Sequence, residues 1–361
     1  MGKVDLHCHS KFSDVPSTFL LKAYNSPERF TEPEDLYKQA KSRGMDYVTI
    51  TDHDDIRGCL ELQISHPEDT FISCEVTTYF PDDNCKAHIL VYDIDARQYD
   101  KLMEVRHNIF TLREYIIEQG IAYSVAHATH DQDGKLSFDH IEKLVLLFDV
   151  FEVINGAVSS KNSTLLHRYL QSLDQQVCEL LQTKHNIKPI SSEPWVKGFT
   201  GGSDDHCGIL VGSAYTYSIC STKALFIENL RNKSSLANGI HGSFEIYATG
   251  VVKHIHDYRT QRDKKYSKTK MDDFLRMFFI GEEGNWVRRF KKSQSLRYLK
   301  RKNSRTHGAL HNLLQEINQH KETDIAHKIS TAYEKVAELH DEMFRSVVKA
   351  LVKNLPSGEY L

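Results

Sequence analysis

No stretch of the 361-residue chain approaches the roughly 20 consecutive apolar residues that a bilayer demands, which excludes a transmembrane helix. The opening MGKVDLHCHS has no apolar core and no small-residue cleavage site, so no secretory leader is expected and the expected location is cytoplasmic. Also missing is any CxxC pair. Seven cysteines (Cys8, Cys59, Cys74, Cys85, Cys178, Cys207 and Cys220) are an odd number widely spread, which argues against both a disulfide framework and a thiolate zinc site. There is no low-complexity linker and no solenoid repeat. With 40% hydrophobic and 26% charged residues the composition is that of a soluble globular protein. What stands out is histidine, 20 residues, many beside Asp or Glu in short clusters.

A formal net charge of -3 hides an asymmetry. Residues 253–306 hold 17 Lys and Arg against 6 Asp and Glu, whereas the first 252 residues are strongly acidic on balance. Two regions are therefore expected, 1–250 and 251–361. In the second, a basic stretch with interspersed Phe274, Phe278, Phe279, Trp286 and Phe290 leads to a helical tail. There Ile325, Ala332 and Leu339, with Ile329, Val336 and Met343, repeat every seven residues, and the expected partner of this seam is a helical hairpin with the segment around Leu310 to Ile317, ahead of a dimeric coiled coil.

The first region alternates β-rich runs with helical stretches, the rhythm of βα units around a parallel sheet or barrel. Strands are expected near Val4 to His7, Tyr47 to Thr51, Thr70 to Thr78, Ala87 to Tyr92, Ala122 to His127, Val150 to Asn155 and Thr200 to Ser203. PEDLYKQAKSRG, from Pro33 to Gly44, carries matched helix start and stop signals.

The polar clusters fall at the ends of these strands. In DLHCHS, side chains two apart share a face, so His7 and His9 converge while Cys8 turns away. TDHDD brings Asp52 and His53 to the end of the second strand, the position where barrel enzymes keep their chemistry. CEVTT contributes Glu75, KAHILVY His88, SVAHATH His127 and His130, and GGSDDHCG Asp204 and His206. Singly, His88 reads as a hydrogen-bonded core histidine and Asp52 as a helix cap. Jointly, imidazoles and carboxylates without thiolates suit Zn, Mn or Fe, and they exceed what one ion needs, so a multinuclear site is expected.

In this order the motifs resemble those of the polymerase and histidinol phosphatase (PHP) superfamily of metal-dependent phosphoesterases: HxH with a downstream acid (His7, His9, Asp14), TDH (Asp52, His53), the central Glu75 and His88, an AHP-like segment (His127) and SDxH (Asp204, His206). The resemblance covers residues 3 to about 250. Ala128 stands where Pro is common and Val15 where Gly is common; neither change removes a ligand.

The resemblance implies an α/β fold, a distorted (β/α)7, TIM-like barrel followed by the C-terminal helical region, and two or three divalent ions. One ion would take His7, His9, Glu75 and Asp204; a second would share Glu75 and add His88 and His127; a third would take Asp14, His53 and His206. Asp52 would orient a ligand from behind. The implied reaction is phosphate-ester hydrolysis, with closely spaced ions activating water and clamping phosphoryl oxygens. His7, His9, Glu75, Asp204 and His206 would form the catalytic set, with a proton for the leaving oxygen from His206, His53 or His130.

Lys11, Arg57, Ser160, Lys161 and Asn162, near the strand ends and joined by Ser159, are the candidate substrate contacts. The expected partner is a small phosphorylated metabolite or nucleotide. Nucleic acid held by the basic stretch (RRFKK at 288–292, KRK at 300–302) makes a nuclease the second reading, and a non-catalytic metal-binding scaffold the third.

Overall fold

Pro33 pre-sets the backbone angle of a first helical turn, Glu34 and Asp35 complement the positive end of the helix dipole, and Lys41 complements the other. In the computed structural model, which describes residues 1–13, 31–243 and 246, this segment forms helix α1, Pro33–Ser42. The chain turns off it at Gly44, whose φ of +77° suits glycine. Asp14 and Val15, the basic stretch and the heptad tail lie outside the described residues.

The other helices are α2 (Arg57–Ser65), α3 (Ala96–Val105), α4 (Ile109–Glu118), α5 (Phe138–Leu147), α6 (Ser160–Gln171), α7 (Gln175–His185) and α8 (Lys223–Arg231). The strands are β1 (Gly2–Val4), β2 (Ser73–Tyr79), β3 (Lys86–Tyr92), β4 (Ala122–Val125), β5 (Val150–Asn155), β6 (Gly198–Gly202), β7 (Ala214–Ser218) and β8 (Leu236–Gly239). The fold is α/β. Leu36 and Ala40 of α1 pack with Leu62 and Cys59 of α2 on Val48 and Ile50, while Phe226, Ile227 and Leu230 of α8 cover Val4, Leu6, Leu90 and Tyr92. Each such large side chain contributes about 1.5–3 kcal/mol by leaving water.

The strands make a five-stranded sheet in the order β2-β3-β4-β5-β6 and a three-stranded sheet β1-β7-β8. Two features differ from the expected parallel rhythm. First, β3 runs antiparallel to both β2 and β4, while β4, β5 and β6 are mutually parallel. The turn between β2 and β3 is too short for a helical crossover, so the chain reverses as a hairpin. Second, residues 47–51 form no ladder. Side chains take much of their hydrogen bonding: the Cys59 thiol donates to Ile50 O (2.9 Å), Thr51 Oγ1 receives the Cys8 amide (3.1 Å), and Thr49 Oγ1 donates to Phe71 O (2.8 Å). Single bridges remain, Val48 with Thr70 and His53 with Glu75, while Cys8 bridges Asp205 and receives the Thr51 amide on its carbonyl. β1 likewise stops at Val4, because the Asp5 carboxylate captures the amides of His7, Ser203 and Gly212. Strands β7 and β8 were not expected from the sequence.

Among the described residues no helix is long and apolar enough to cross a membrane.

Candidate metal centre

The reversal of β3 explains how an early residue of that strand joins groups that come late on their neighbours. Thr77 of β2 pairs with His88, and the Ala126 amide, just past β4, donates to His88 O (3.1 Å). His88 thus lies level with the ends of β2 and β4. The loop after His53 is clipped onto β2: Asp54, at φ +52°, donates its amide to Glu75 O (3.0 Å) and receives the Thr77 amide on its carboxylate (2.8 Å).

Glu75 is the centre of the cluster and is fully buried. Its Oε1 lies 2.6 Å from His88 Nδ1 and 3.1 Å from His127 Nε2; its Oε2 lies 2.8 Å from His53 Nδ1 and 3.3 Å from both His7 Nε2 and His9 Nε2. Asp204 Oδ1 faces the same space, 3.4 Å from His7 Nε2, 3.3 Å from His9 Nε2 and 3.7 Å from His206 Nε2. His127 and Asp204 both adopt positive φ, +25° and +48°, which costs a non-glycine residue roughly 1–3 kcal/mol and persists only where the surroundings enforce it.

Eight of the nine ligand candidates therefore converge; the ninth, Asp14, lies outside the described residues. Among these eight, four groups have donor atoms mutually within 4.8 Å: His7, His9 and Glu75; His7, His127 and Asp204; His9, Asp204 and His206; and His53, Glu75 and His88. His53 thus stands with Glu75 and His88, and His206 with His9 and Asp204, whereas the family pattern implies placing these two imidazoles on one ion.

At His7, His88, His127, Glu75 and Asp204 burial opposes charge, and neighbours decide the outcome. Burial would lower the pKa of His7, yet the carboxylates of Asp204, Glu152 and Glu75 outweigh it and hold the imidazole well above its ordinary value. His127 is likewise burdened by burial but raised on balance by Glu75 and Asp204. At His88 burial wins over Glu75, and the neighbouring His53 and His127 add to it, pushing the pKa down to about 4. Glu75 and Asp204, which burial alone would raise, are held well below the carboxylate range by the surrounding imidazoles. Within the cluster the two carboxylates thus draw the pKa of His7 and His127 upward, while that of His88 falls.

His7 Nε2, His53 Nδ1 and Glu75 Oε2 are buried, point into one space and make no hydrogen bond of acceptable geometry. Buried polar atoms without such a bond are costly. Imidazole and carboxylate donors on several sides of one space are a donor set that fits Zn, Mn or Fe.

Around the cluster, Asp52 faces away from it and receives both the amide (2.6 Å) and the hydroxyl (2.6 Å) of Ser10, fixing the turn that follows His9. Ser13 receives the His53 amide (2.8 Å) and sits 3.4 Å from His9 Nδ1. Sequence reasoning missed Glu152, whose Oε1 is 2.9 Å from His7 Nδ1, and Asn155, whose Nδ2 reaches Glu152 Oε2 (2.8 Å) and Asp204 Oδ2 (3.1 Å). The available signal was a lone acid inside the apolar run VFEVIN, which needs a buried partner.

The candidate substrate contacts engage partners of their own. Lys11 Nζ and the Arg57 guanidinium lie 5.0 and 4.9 Å from the centroid of the Phe12 ring. Lys11 is ion-paired with Glu32 (2.6 Å), and Arg57 Nε donates to Asp55 (2.7 Å). Ser160, Lys161 and Asn162 begin α6, where Ser159 caps the helix by receiving the Asn162 amide and donates its hydroxyl to Asn162 Oδ1 (3.2 Å). His130 is exposed, its ring centroid 5.5 Å from that of His127.

No family model matches the chain. A stretch of 59 residues is 42% identical to an uncharacterised protein of Methanocaldococcus jannaschii, covering 16% of this chain and 33% of that protein, so the match spans about a third of the relative's length. Among solved structures, the chain is similar to an amidohydrolase from Chromobacterium violaceum with bound sulfate and no metal (17% identity, 64% of this chain, 97% of the other, TM-score 0.39). It is also similar to PsfC from Pseudomonas syringae (13%, 71% and 98%, TM-score 0.42) and to a proposed metal-dependent phosphoesterase from Bifidobacterium adolescentis (14%, 66% and 96%, TM-score 0.34).

Proposed function

We propose that this chain is a metal-dependent phosphoesterase acting on a small phosphorylated substrate. The observation that carries the reading is the set of buried, inward-facing atoms without hydrogen bonds, His7 Nε2, His53 Nδ1 and Glu75 Oε2, at a point where imidazoles and carboxylates from separate strand ends meet. The ordered HxH, TDH, Glu, His, AH and SDxH elements favour phosphate esters among the substrates such a centre can hydrolyse. Divalent ions bound there would bring the pKa of a water toward neutrality and offset charge building on a phosphoryl group.

A ring of segments supports the distorted seven-stranded barrel: 6–9 to 48–53 through Cys8 and Thr51, on to β2 through His53 and Glu75, across β3 to β6, and back through Asp205 and Cys8. The barrel would occupy residues 1–250, with 251–361 a separate region.

The chain's own groups divide the work. His7, His9, His53, Glu75, His88, His127, Asp204 and His206 would hold the ions, with Asp14 as a further ligand. Glu75, whose two oxygens face different imidazoles, would serve both halves of the cluster. Lys11 and Arg57 exchange Glu32 and Asp55 for phosphate oxygens, and the start of α6, Ser160, Lys161 and Asn162, meets the remainder of the substrate. His130 gives the leaving oxygen its proton from the ring edge.

Reconstitution with Mn or Zn, followed by turnover of a generic phosphomonoester beside a generic phosphodiester, tests this. Metal-dependent monoester cleavage that disappears in Asp204→Ala is the expected result. Preferential diester cleavage would turn the reading toward a nuclease, and well-metallated protein inert on a broad panel of phosphate esters would overturn it.

A further inference from the structure

Glu152 is 2% exposed, carries a charge into the interior of an apolar strand, and belongs to none of the ligand groups. Its carboxylate bonds lead to His7 and His127, which do belong, and to Asn155, which holds Asp204. Oε1 accepts a hydrogen bond from His7 Nδ1 at 2.9 Å, which leaves His7 Nε2 facing Glu75 and Asp204. Oε2 takes the His127 amide at 2.9 Å, at the residue held at positive φ, and the Asn155 amide group at 2.8 Å. Asn155 in turn donates to Asp204 Oδ2 at 3.1 Å, while its own carbonyl oxygen receives the amides of Ala157 and Val158.

We infer that Glu152 is a positioning residue for the half of the centre made by His7, His127 and Asp204, acting mainly by fixing which nitrogen of His7 faces the ions. This rests on the metal-centre reading above. A carboxylate is required because both of its oxygens accept. Glutamine has one accepting oxygen and one donating nitrogen, so Glu152→Gln sets a donor against either His7 Nδ1–H or the His127 and Asn155 donors. The half made by His53, Glu75 and His88 shares no bond with Glu152.

The test uses the full chain, stripped of metal, with zinc affinity measured by chelator competition in wild type, Glu152→Gln, His7→Gln and the double variant, and apo folding followed by thermal melting. Glu152→Gln is expected to weaken zinc binding by about 10–100-fold, the usual effect of removing the partner that orients a ligating histidine. In the His7→Gln background the same change is expected to add little, because the group it orients is gone. Equal losses in both backgrounds, or no loss in wild type, would overturn the assignment. Glu152→Asp keeps both accepting oxygens and the charge but withdraws them by one methylene; it should weaken binding less, and it carries the same cycle if Glu152→Gln fails to fold. A wild-type chain that takes up no zinc would defeat the metal-centre reading and this inference together, whereas zinc uptake indifferent to position 152 would defeat this inference alone.

Discussion

His88 Nδ1 lies 2.6 Å from Glu75 Oε1 across a strand pair that runs in opposite directions. Glu75 also faces His7, His9, His53 and His127, so no other carboxylate in the described cluster has as many imidazole neighbours. Glu75→Gln should therefore reduce metal affinity by more than the roughly 10–100-fold seen when only an outer partner is removed. Calorimetric titration with zinc or manganese checks this; affinity within tenfold of wild type would remove Glu75 from the centre.

Metal loading should release protons. In the metal-free chain the neighbouring carboxylates hold the pKa of His7 well above its ordinary value and raise that of His127, so an ion binding these imidazoles competes with protons. Because these folded-state values are raised, the stability that the protonated imidazoles contribute is fully present below about pH 6.5 and is lost as pH rises through the folded values. Glu75 and Asp204 have the opposite sign: their contribution is present above the ordinary carboxylate range and is lost as pH falls through their depressed values. Zinc affinity is thus expected to climb with pH across neutrality, with heats that scale with buffer ionisation enthalpy. Buffer-independent heats would contradict the raised pKa of His7.

At Gly202 the last residue of β6 passes against the first histidine. A β-carbon there would stand 2.3 Å from His7 Cβ and 2.7 Å from His7 N, too close for either to remain in place. Gly202→Ala should destabilise the fold by about 1–3 kcal/mol through overpacking, and should lower metal affinity as well because His7 must move. Thermal melting and zinc competition read the two effects separately; destabilisation without loss of affinity would mean that the backbone of β6, not His7, yields.

Lys197 gives a contrast. Its side chain is fully buried, donating to Val145 O (2.7 Å), Phe148 O (2.8 Å) and Asp149 Oδ1 (3.0 Å), so it ties the end of α5 to the start of β6. Lys197→Met takes that donor from Val145 O and Phe148 O, while Asp149 keeps its Lys233 partner (2.9 Å), and should lower stability by about 1–3 kcal/mol. Metal affinity of the folded fraction should be unchanged, since none of these partners touches the cluster. A parallel fall in affinity would show that α5 and β6 transmit strain to Asp204.

The ligand types were legible because alternation in a strand and placement at strand ends are local properties: HxH, TDH and SDxH declare themselves within a few residues. Strand direction is not local. Nothing in KAHILVY announces that β3 runs antiparallel to its neighbours or that His88 reaches the cluster from the beginning of its strand, because strand direction depends on the partners and not on the strand's own residues. Residues 47–51 have strand-like composition, yet the Cys59 thiol and threonine hydroxyls take bonds that a ladder would need, a competition visible only once distant residues are in place. Glu152 was passed over for the same reason, its partner lying 145 residues away.

The β2–β3 hairpin also orders the assembly of the centre in time. Glu75 and His88 are 13 residues apart, and forming a loop of that size sacrifices little chain entropy. His7 gains its Glu152 bond only when the chain closes over 145 residues, and Asp5 its Ser203 bond over 198. Contacts of such span are late events in folding. The Glu75–His88 half can therefore be assembled while the amino-terminal histidines are still searching, and an ion captured early by that half would shorten their search.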